Sequence, residues 1–228
     1  MSIISLQHVH KVYDEGKIPV PALNGVSLEI ASGEFTAIVG PSGSGKTTLL
    51  NIIGGLDRPS AGEVVVGGTD IGQLSDNQLI DFRKEHIGFV FQAYNLIPVL
   101  TALENVEFVM LLQKAPTRVR RERATELLRA VGLEDKMDKR PGELSGGQQQ
   151  RVAVARALAS KPAFILADEP TANLDSGSAS NLLDIMARLN AEEGTTFIFS
   201  THDQRVIDRA LRVVTLVDGQ VASDITRS

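Results

Sequence analysis

The sequence predicts an α/β fold, a mostly parallel sheet covered by helices, interrupted once by an all-helical insertion. Three observations lead there. Short, wholly apolar runs such as FTAIV, FILA and TFIF alternate with amphipathic segments, and strands apolar on both faces belong to parallel sheets covered on both sides. One of these runs leads directly into a glycine-rich turn and then a helix-forming segment. From about residue 93 to 160 the pattern becomes helical throughout. The 228 residues suit one large α/β domain with an inserted subdomain.

In chain order, ISLQHV and ALNGVSLEI read as strands, and the turn signal ASGE leads into the buried strand FTAIV. A glycine-rich turn then opens a helix near Lys46 that includes TLLNIIGGL. EVVV is a further strand, Ser75 with Gln78 starts a helix, and IGFVF is again strand-like. Thr101 and Glu104 form a capping box ahead of the apolar ENVEFVMLL. TRVRRERATELLRAVG is a charged amphipathic helix ending at Gly132, and another helix follows Ser145. AFILAD, TTFIFST and RVVTLV return as strands, with a helix over SASNLLDIMARLNAEE between the first two. Asp218 and Gly219 turn the last strand into a hairpin. The expected division is a single domain over 1–228, with an α/β core at 1–92 and 161–228 and a helical subdomain at 93–160.

Composition narrows the function classes. The net charge of -5 does not suit a nucleic-acid grip, and eight Phe, two Tyr and no Trp leave little for base stacking. No nucleic-acid partner is expected. The absence of cysteine excludes disulfides and thiolate metal sites. MSIISLQHVHKVY lacks the pattern of a signal peptide, and no apolar run approaches a membrane span. A soluble, cytoplasmic chain is expected.

GPSGSGKTT, comprising Gly40, Pro41, Ser42, Gly43, Ser44, Gly45, Lys46, Thr47 and Thr48, fits the phosphate-binding pattern G-x-x-x-x-G-K-[ST] between a strand and a helix. Its glycines let backbone N–H groups curl around phosphate oxygens at the positive end of the helix. Lys46 would charge-pair with β- and γ-phosphates, and Thr47 would offer a hydroxyl to Mg²⁺. In FILADEP, Asp168 stands at the carboxyl end of a buried strand, where it would hold Mg²⁺, and Glu169 follows, where it can poise a water for attack on the γ-phosphate. A GTPase would need a guanine-reading Asn/Thr-Lys-x-Asp motif, which the sequence lacks. ATP hydrolysis is therefore expected. LSGGQQQR is odder. Ser145 and Gln148 form a capping box, yet Gly146 and Gly147 occupy a first turn where each costs up to roughly 1 kcal/mol relative to alanine.

These elements together resemble the nucleotide-binding domain of ABC transporters over essentially the whole chain. The resemblance implies a P-loop (RecA-like) core with an antiparallel β subdomain and a helical subdomain carrying the signature LSGGQ. It also implies a role for each matching residue. Tyr13 would stack on adenine, Gln92 would reach Mg²⁺ and water, Asp175 would couple the two subunits of a dimer, and His202 would contact the γ-phosphate. Ser145, Gly146, Gly147 and Gln148 would bind the γ-phosphate held by a second copy, the glycines leaving room for it. A head-to-tail homodimer with two ATP molecules and Mg²⁺ follows.

GFVFQAYNLIPVLTALENVEF, ELSGGQQQRVAVARAL and LADEPTANLD are most similar to the ATPases of lipoprotein-releasing and macrolide-exporter systems. This implies a separate integral membrane permease and a peripheral position on the inner face of the cell membrane. A regulatory ATPase of a cell-envelope or division process is the alternative, and a soluble non-transport ATPase a more distant one. Only 122 residues (168 minus 46) separate Lys46 from Asp168, too few for the long coiled coils of chromosome-type relatives. The expected permease contact is the apolar stretch Ala93, Tyr94, Asn95, Leu96, Ile97, Pro98, Val99 and Leu100, with Pro98 keeping it out of the helix that follows.

Overall fold

Strands that alternate apolar and polar residues need only one covered face, whereas uniformly apolar strands need two. The computed structural model, which describes residues 2–14 and 18–227, sorts the strands by this rule into two sheets. β1 (Ser2–Tyr13) and β2 (Val20–Ala31) alternate, and they pair antiparallel with Leu6 opposite Leu28. A register shift between Leu6 and Val9 coincides with His8 at φ 48°, a bulge that bends the strand. β3 (Phe35–Val39) is buried along nearly its whole length and leads into α1 (Lys46–Ile53). β4 (Ala61–Val66) and the two-residue β5 (Thr69–Asp70) complete a four-stranded antiparallel sheet in the order β2-β1-β4-β5.

The capping box at Ser75 starts α2 (Asp76–His86), which runs into β6 (Ile87–Val90). The strand ends one residue earlier than its apolar run, leaving Phe91 outside the ladder. Residues 93–160 hold α3 (Ala102–Leu112), α4 (Thr117–Ala130), α5 (Gly146–Ala159) and two short 3-10 turns, with no strand among them. β7 (Phe164–Asp168) follows. α6 (Ser176–Glu193) starts two residues before SASNLLDIMARLNAEE, because Asp175 accepts from the N–H groups of Gly177 and Ser178 and so sets the cap earlier. β8 (Thr196–Ser200), the short α7 (Gln204–Arg209), β9 (Arg212–Val217) and β10 (Gln220–Thr226) complete the chain, and Asp218 and Gly219, both at positive φ, make the last turn.

The larger sheet has the order β10-β9-β3-β8-β7-β6, parallel except for its terminal hairpin. Its two faces feed two cores. Phe164 and Leu166 of β7 point with Ile38, Ile198 and Leu216 toward α1 and the antiparallel sheet. Ile165 and Ala167 point the other way, with Phe197 and Phe199, toward α3, α4, α5 and α6. The helical stretch therefore shares its core with the sheet.

What brings α5 against β6 is a missing side chain. A Cβ at Gly88 would lie 2.6 Å from the Ala157 carbonyl oxygen and 2.9 Å from Ile165 Cγ1. Gly88→Ala is expected to destabilise the protein by about 1–3 kcal/mol, the usual cost of overpacking. Gly142→Ala, where the added methyl meets open space, is expected to change stability by less than about 0.5 kcal/mol. Urea unfolding of both variants checks the pair.

Candidate functional site

The carboxyl ends of parallel strands are where open α/β sheets take their ligands, and a cavity of about 650 Å³ opens there. Its floor is the loop between β3 and α1, with Gly40, Pro41, Ser42, Gly43, Gly45, Lys46, Thr47 and Thr48 all lining it. The loop's shape requires glycine. Gly40 has φ 147° and a Cβ there would sit 2.0 Å from the Leu216 carbonyl oxygen; Gly45 has φ 98° and a Cβ would meet the Ala22 carbonyl oxygen at 2.4 Å. Lys46 Nζ donates to the carbonyls of Gly40 (2.9 Å) and Pro41 (3.0 Å), which arches its charge over the loop. Ser44 differs from its neighbours: it is 2% exposed, its Oγ has no partner, and it does not line the cavity.

The opposite wall comes from the ends of β7 and β8. Thr47 Oγ1 donates to Asp168 Oδ1 at 3.4 Å, which brings the two expected Mg²⁺ ligands side by side. His202 Nδ1 lies 2.7 Å from Glu169 Oε1. Thr201 Oγ1 donates to the other oxygen of Glu169 at 3.3 Å, and the Glu169 N–H donates to the Ser200 carbonyl at 2.9 Å. Glu169 itself has φ 46°, a left-handed conformation that costs a bulky residue on the order of 1–3 kcal/mol. Gln92, just beyond β6, also lines the cavity.

Other expected residues lie apart from it. Tyr13 is not among the lining residues. Its hydroxyl donates to Asp57 Oδ2 at 2.8 Å, and the Lys11 ammonium, paired to the same carboxylate, sits 4.8 Å from the ring centre. Burial pushes the Tyr13 phenol above its ordinary range. Ser145, Gly146, Gly147 and Gln148 do not line the cavity of their own chain either. Ser145 caps α5 as expected, accepting from the Gln148 N–H at 3.3 Å while Gln148 Oε1 accepts from the Ser145 N–H. The two glycines also have a reason inside the chain: a Cβ at Gly146 would be 2.8 Å from the Tyr94 hydroxyl, and one at Gly147 would be 2.9 Å from Ser178 Oγ. Asp175 is exposed and caps α6.

The apolar stretch 93–100 does not behave as one surface. Leu96 packs against the helical core and Val99 is 72% exposed, while Ile97 reaches a separate apolar groove of about 480 Å³. That groove is lined chiefly by Ile80 of α2, Phe89 of β6, Phe91 just beyond it, and Phe108, Val109 and Leu112 of α3, with Arg156 and Ala157 of α5 closing it. Its residues are scattered between positions 80 and 160, so no single run announces it.

Sequence reasoning missed several residues at the main site. Ala22 and Ser200 line the cavity. Thr171, 1% exposed, donates to Asp203 Oδ2 at 2.7 Å, and Arg205 grips the same carboxylate at 2.7 Å. With the Asp203 N–H donating to Thr201 Oγ1 at 3.0 Å, these bonds fix the segment carrying His202. The Arg205 guanidinium, with Thr171 assisting against partial burial, pulls Asp203 down to about 2. The D-x-R spacing after His202 was the available signal.

A family model described as ABC transporter matches residues 23–172. The lipoprotein-releasing system ATP-binding protein LolD of Anaeromyxobacter dehalogenans is 48% identical over 224 residues, covering 97% of this chain and 93% of that protein. The macrolide export ATP-binding/permease protein MacB of Hyphomonas neptunium is 49% identical over 222 residues, 97% of this chain but only 34% of that protein. Among solved structures, the dimeric ATP-binding cassette MJ0796, bound to ADP and Pi in a post-hydrolysis state, aligns with a TM-score of 0.90 at 45% identity, covering 99% of both chains.

The Asp203 cluster yields a pH test. Its folded pKa of about 2 lies below the ordinary 3.8, so its contribution to stability is complete above 3.8 and is lost as pH falls through about 2. Asp203→Asn keeps a cap acceptor but removes the charge. The stability difference between wild type and variant should be constant above about pH 5 and shrink between about pH 4 and 2, as read from urea unfolding at each pH.

Proposed function

The chain belongs to the ABC transporter family, and from that premise we propose that it is the ATP-hydrolysing subunit of a lipoprotein-release or efflux type of complex, driving a separate membrane permease. One observation carries the reading: the Glu169–His202 pair, 2.7 Å apart, faces the same cavity as Lys46 and the glycine loop. The loop's N–H groups and the N-terminus of α1 bind the phosphates, and Lys46 neutralises charge on the β- and γ-phosphates. Glu169 orients the attacking water. His202, held through Nδ1, contacts the γ-phosphate and keeps the carboxylate in place.

The donor set fits Mg²⁺. No cluster of three or more acidic or histidine ligands occurs among the described residues, and Mg²⁺ in phosphate sites needs only one or two carboxylates, with neutral oxygens, phosphate and water completing the shell. Thr47 and Asp168, already in contact, and the Gln92 amide would supply those oxygens. When bound, the ion would neutralise the phosphate oxygens.

Ser145, Gly146, Gly147 and Gln148 complete the site of a second copy, and Asp175 couples the two. Support comes from the signature's distance from its own cavity's lining and from the dimeric state of the MJ0796 cassette. Tyr13 joins the site through the adenine, beyond the phosphate cavity. The permease docks in the groove of Ile80, Phe89, Phe91, Phe108, Val109 and Leu112, which begins beside Gln92. An apolar patch with charged neighbours, here Arg83, Lys84 and Arg156, suits a short amphipathic cytoplasmic segment. That contact gives the chain a peripheral position at the membrane.

Glu169→Gln is expected to retain ATP affinity while lowering turnover by about 10²–10⁴-fold, and to accumulate an ATP-bound dimer. Hydrolysis assays with size-exclusion chromatography check both, and near-normal turnover would remove Glu169 from its role. For the groove, Ile80 and Leu112 are each 52% exposed, so glutamate there should leave folding and ATP binding intact. The double variant should no longer co-purify with the permease; full retention would move the docking surface elsewhere.

A further inference from the structure

A fully buried polar side chain away from the reacting atoms needs an explanation, because burying an amide without hydrogen bonds costs on the order of 1–3 kcal/mol. Gln150 is such a residue. It is 0% exposed in the middle of α5, among Val152, Ala153 and Val154, which are equally buried. Its Nε2 donates to the Phe91 carbonyl at 3.2 Å and to the Pro170 carbonyl at 2.8 Å, while Oε1 is buried with no partner. Phe91 immediately precedes Gln92, and Pro170 immediately follows Glu169. One amide thus joins the helix that begins at Ser145 to the two segments facing the γ-phosphate position.

The segment around Gln92 is held from outside. β6 has ended at Val90. Gln150 binds the carbonyl of Phe91, Asn173 Nδ2 binds that of Gln92 at 3.0 Å, and Arg156 donates to the carbonyls of Tyr94 and Asn95. Tyr94 and Asn95 are both in the left-handed region, a conformation that non-glycine residues hold only when neighbouring bonds support it. Two of the three anchoring side chains, Gln150 and Arg156, stand on α5.

Building on the functional reading above, we propose that Gln150 is a positioning residue that locks the helix presenting Ser145 in register with Gln92 and Glu169. One amide then sets where the first turn of α5 stands relative to the loop at Gln92 and the turn at Glu169. Gln150 touches neither nucleotide nor the glycine loop, so its loss should affect turnover and leave nucleotide capture alone. The unpartnered Oε1 fits this role: the site retains an amide for its two N–H donors although its carbonyl goes unpaired.

Gln150→Met keeps the volume and removes both donors. Measured on the full chain with ATP and Mg²⁺, its turnover should fall roughly 100-fold, the scale expected when reacting groups are misplaced by about 1 Å, while the ATP dissociation constant stays within about twofold of wild type. Gln150→Glu adds a readout that general loosening would not give. A buried carboxylate facing two carbonyls has a raised pKa, so its protonated form can donate one bond, and its turnover relative to wild type should rise as pH drops from about 8 to 6. Gln150→Met should show no such rise. If either variant fails to fold, hydrogen exchange on wild type decides: amides of 92–95, 146–150 and 169–173 should gain protection together on adding ATP, and independent responses overturn the proposal. Turnover within about threefold of wild type, or parallel loss of turnover and ATP affinity in Gln150→Met, also overturns it. A wild type that neither binds nor hydrolyses ATP would instead refute the functional reading.

Discussion

Everything at the site depends on how closely three backbone segments approach one another at the glycine loop. The loop after β3 is pressed between the Leu216 carbonyl of β9 and the Ala22 carbonyl of β2, at separations no Cβ could survive. The Gly219 N–H of the terminal hairpin donates to the Ser44 carbonyl, and the Asn24 N–H of β2 returns a bond to the Gly219 carbonyl. The loop that floors the cavity is therefore also the joint that fastens the antiparallel sheet to the parallel one. Glycine is needed twice over, for the curl of the N–H groups and for the joint. A cradle built into the junction of two sheets cannot relax alone, which is the preorganisation that phosphate recognition by backbone dipoles needs.

The wall opposite the loop is held in a different way. Glu169 sits in a left-handed turn that its own side chain disfavours. The conformation is held by its N–H bond to Ser200, by Thr201 and His202 on its two carboxylate oxygens, and by the bond from Ala172 to its carbonyl. Strain of this kind persists where surrounding bonds over-determine the backbone, and the Thr171–Asp203–Arg205 cluster extends that determination to the segment carrying His202.

Much of this was legible because it is local. The capping boxes at Ser75, Thr101 and Ser145, the buried strand before Gly40 and the Asp218–Gly219 turn follow from residue type within a few positions, and each stands where expected. What stayed hidden depends on contacts between distant segments. Leu96 reads as a surface residue until α3, α4 and α5 close over it. The groove near Gln92 draws on α2, β6, α3 and α5, so no contiguous pattern marks it. Tyr13 is occupied by Asp57, itself paired to Lys11 across 46 positions of chain. The second reason for Gly146 and Gly147, the approach of Tyr94 and Ser178, is equally invisible in LSGGQQQR.

That last point changes how the signature helix should be understood. If the glycines served only an incoming phosphate, Tyr94 and Ser178 could lie anywhere. Instead Tyr94 belongs to the loop that Gln92 opens, its hydroxyl reaching the Asn173 carbonyl, and Ser178 belongs to the turn capped by Asp175. The first turn of α5 therefore packs against the loop that follows Gln92 and the turn at Asp175, while Gln150 and Arg156 bind the first of them further along the same helix. A change in the loop at Gln92 must then be felt at both ends of α5. The groove beside Phe91 shares Asn95 and Arg156 with this network, so anything seated there would meet a side chain that also binds the loop after Gln92. Gly146 and Gly147 thus have close neighbours within their own chain, and the tight first turn of α5 is part of how that chain packs.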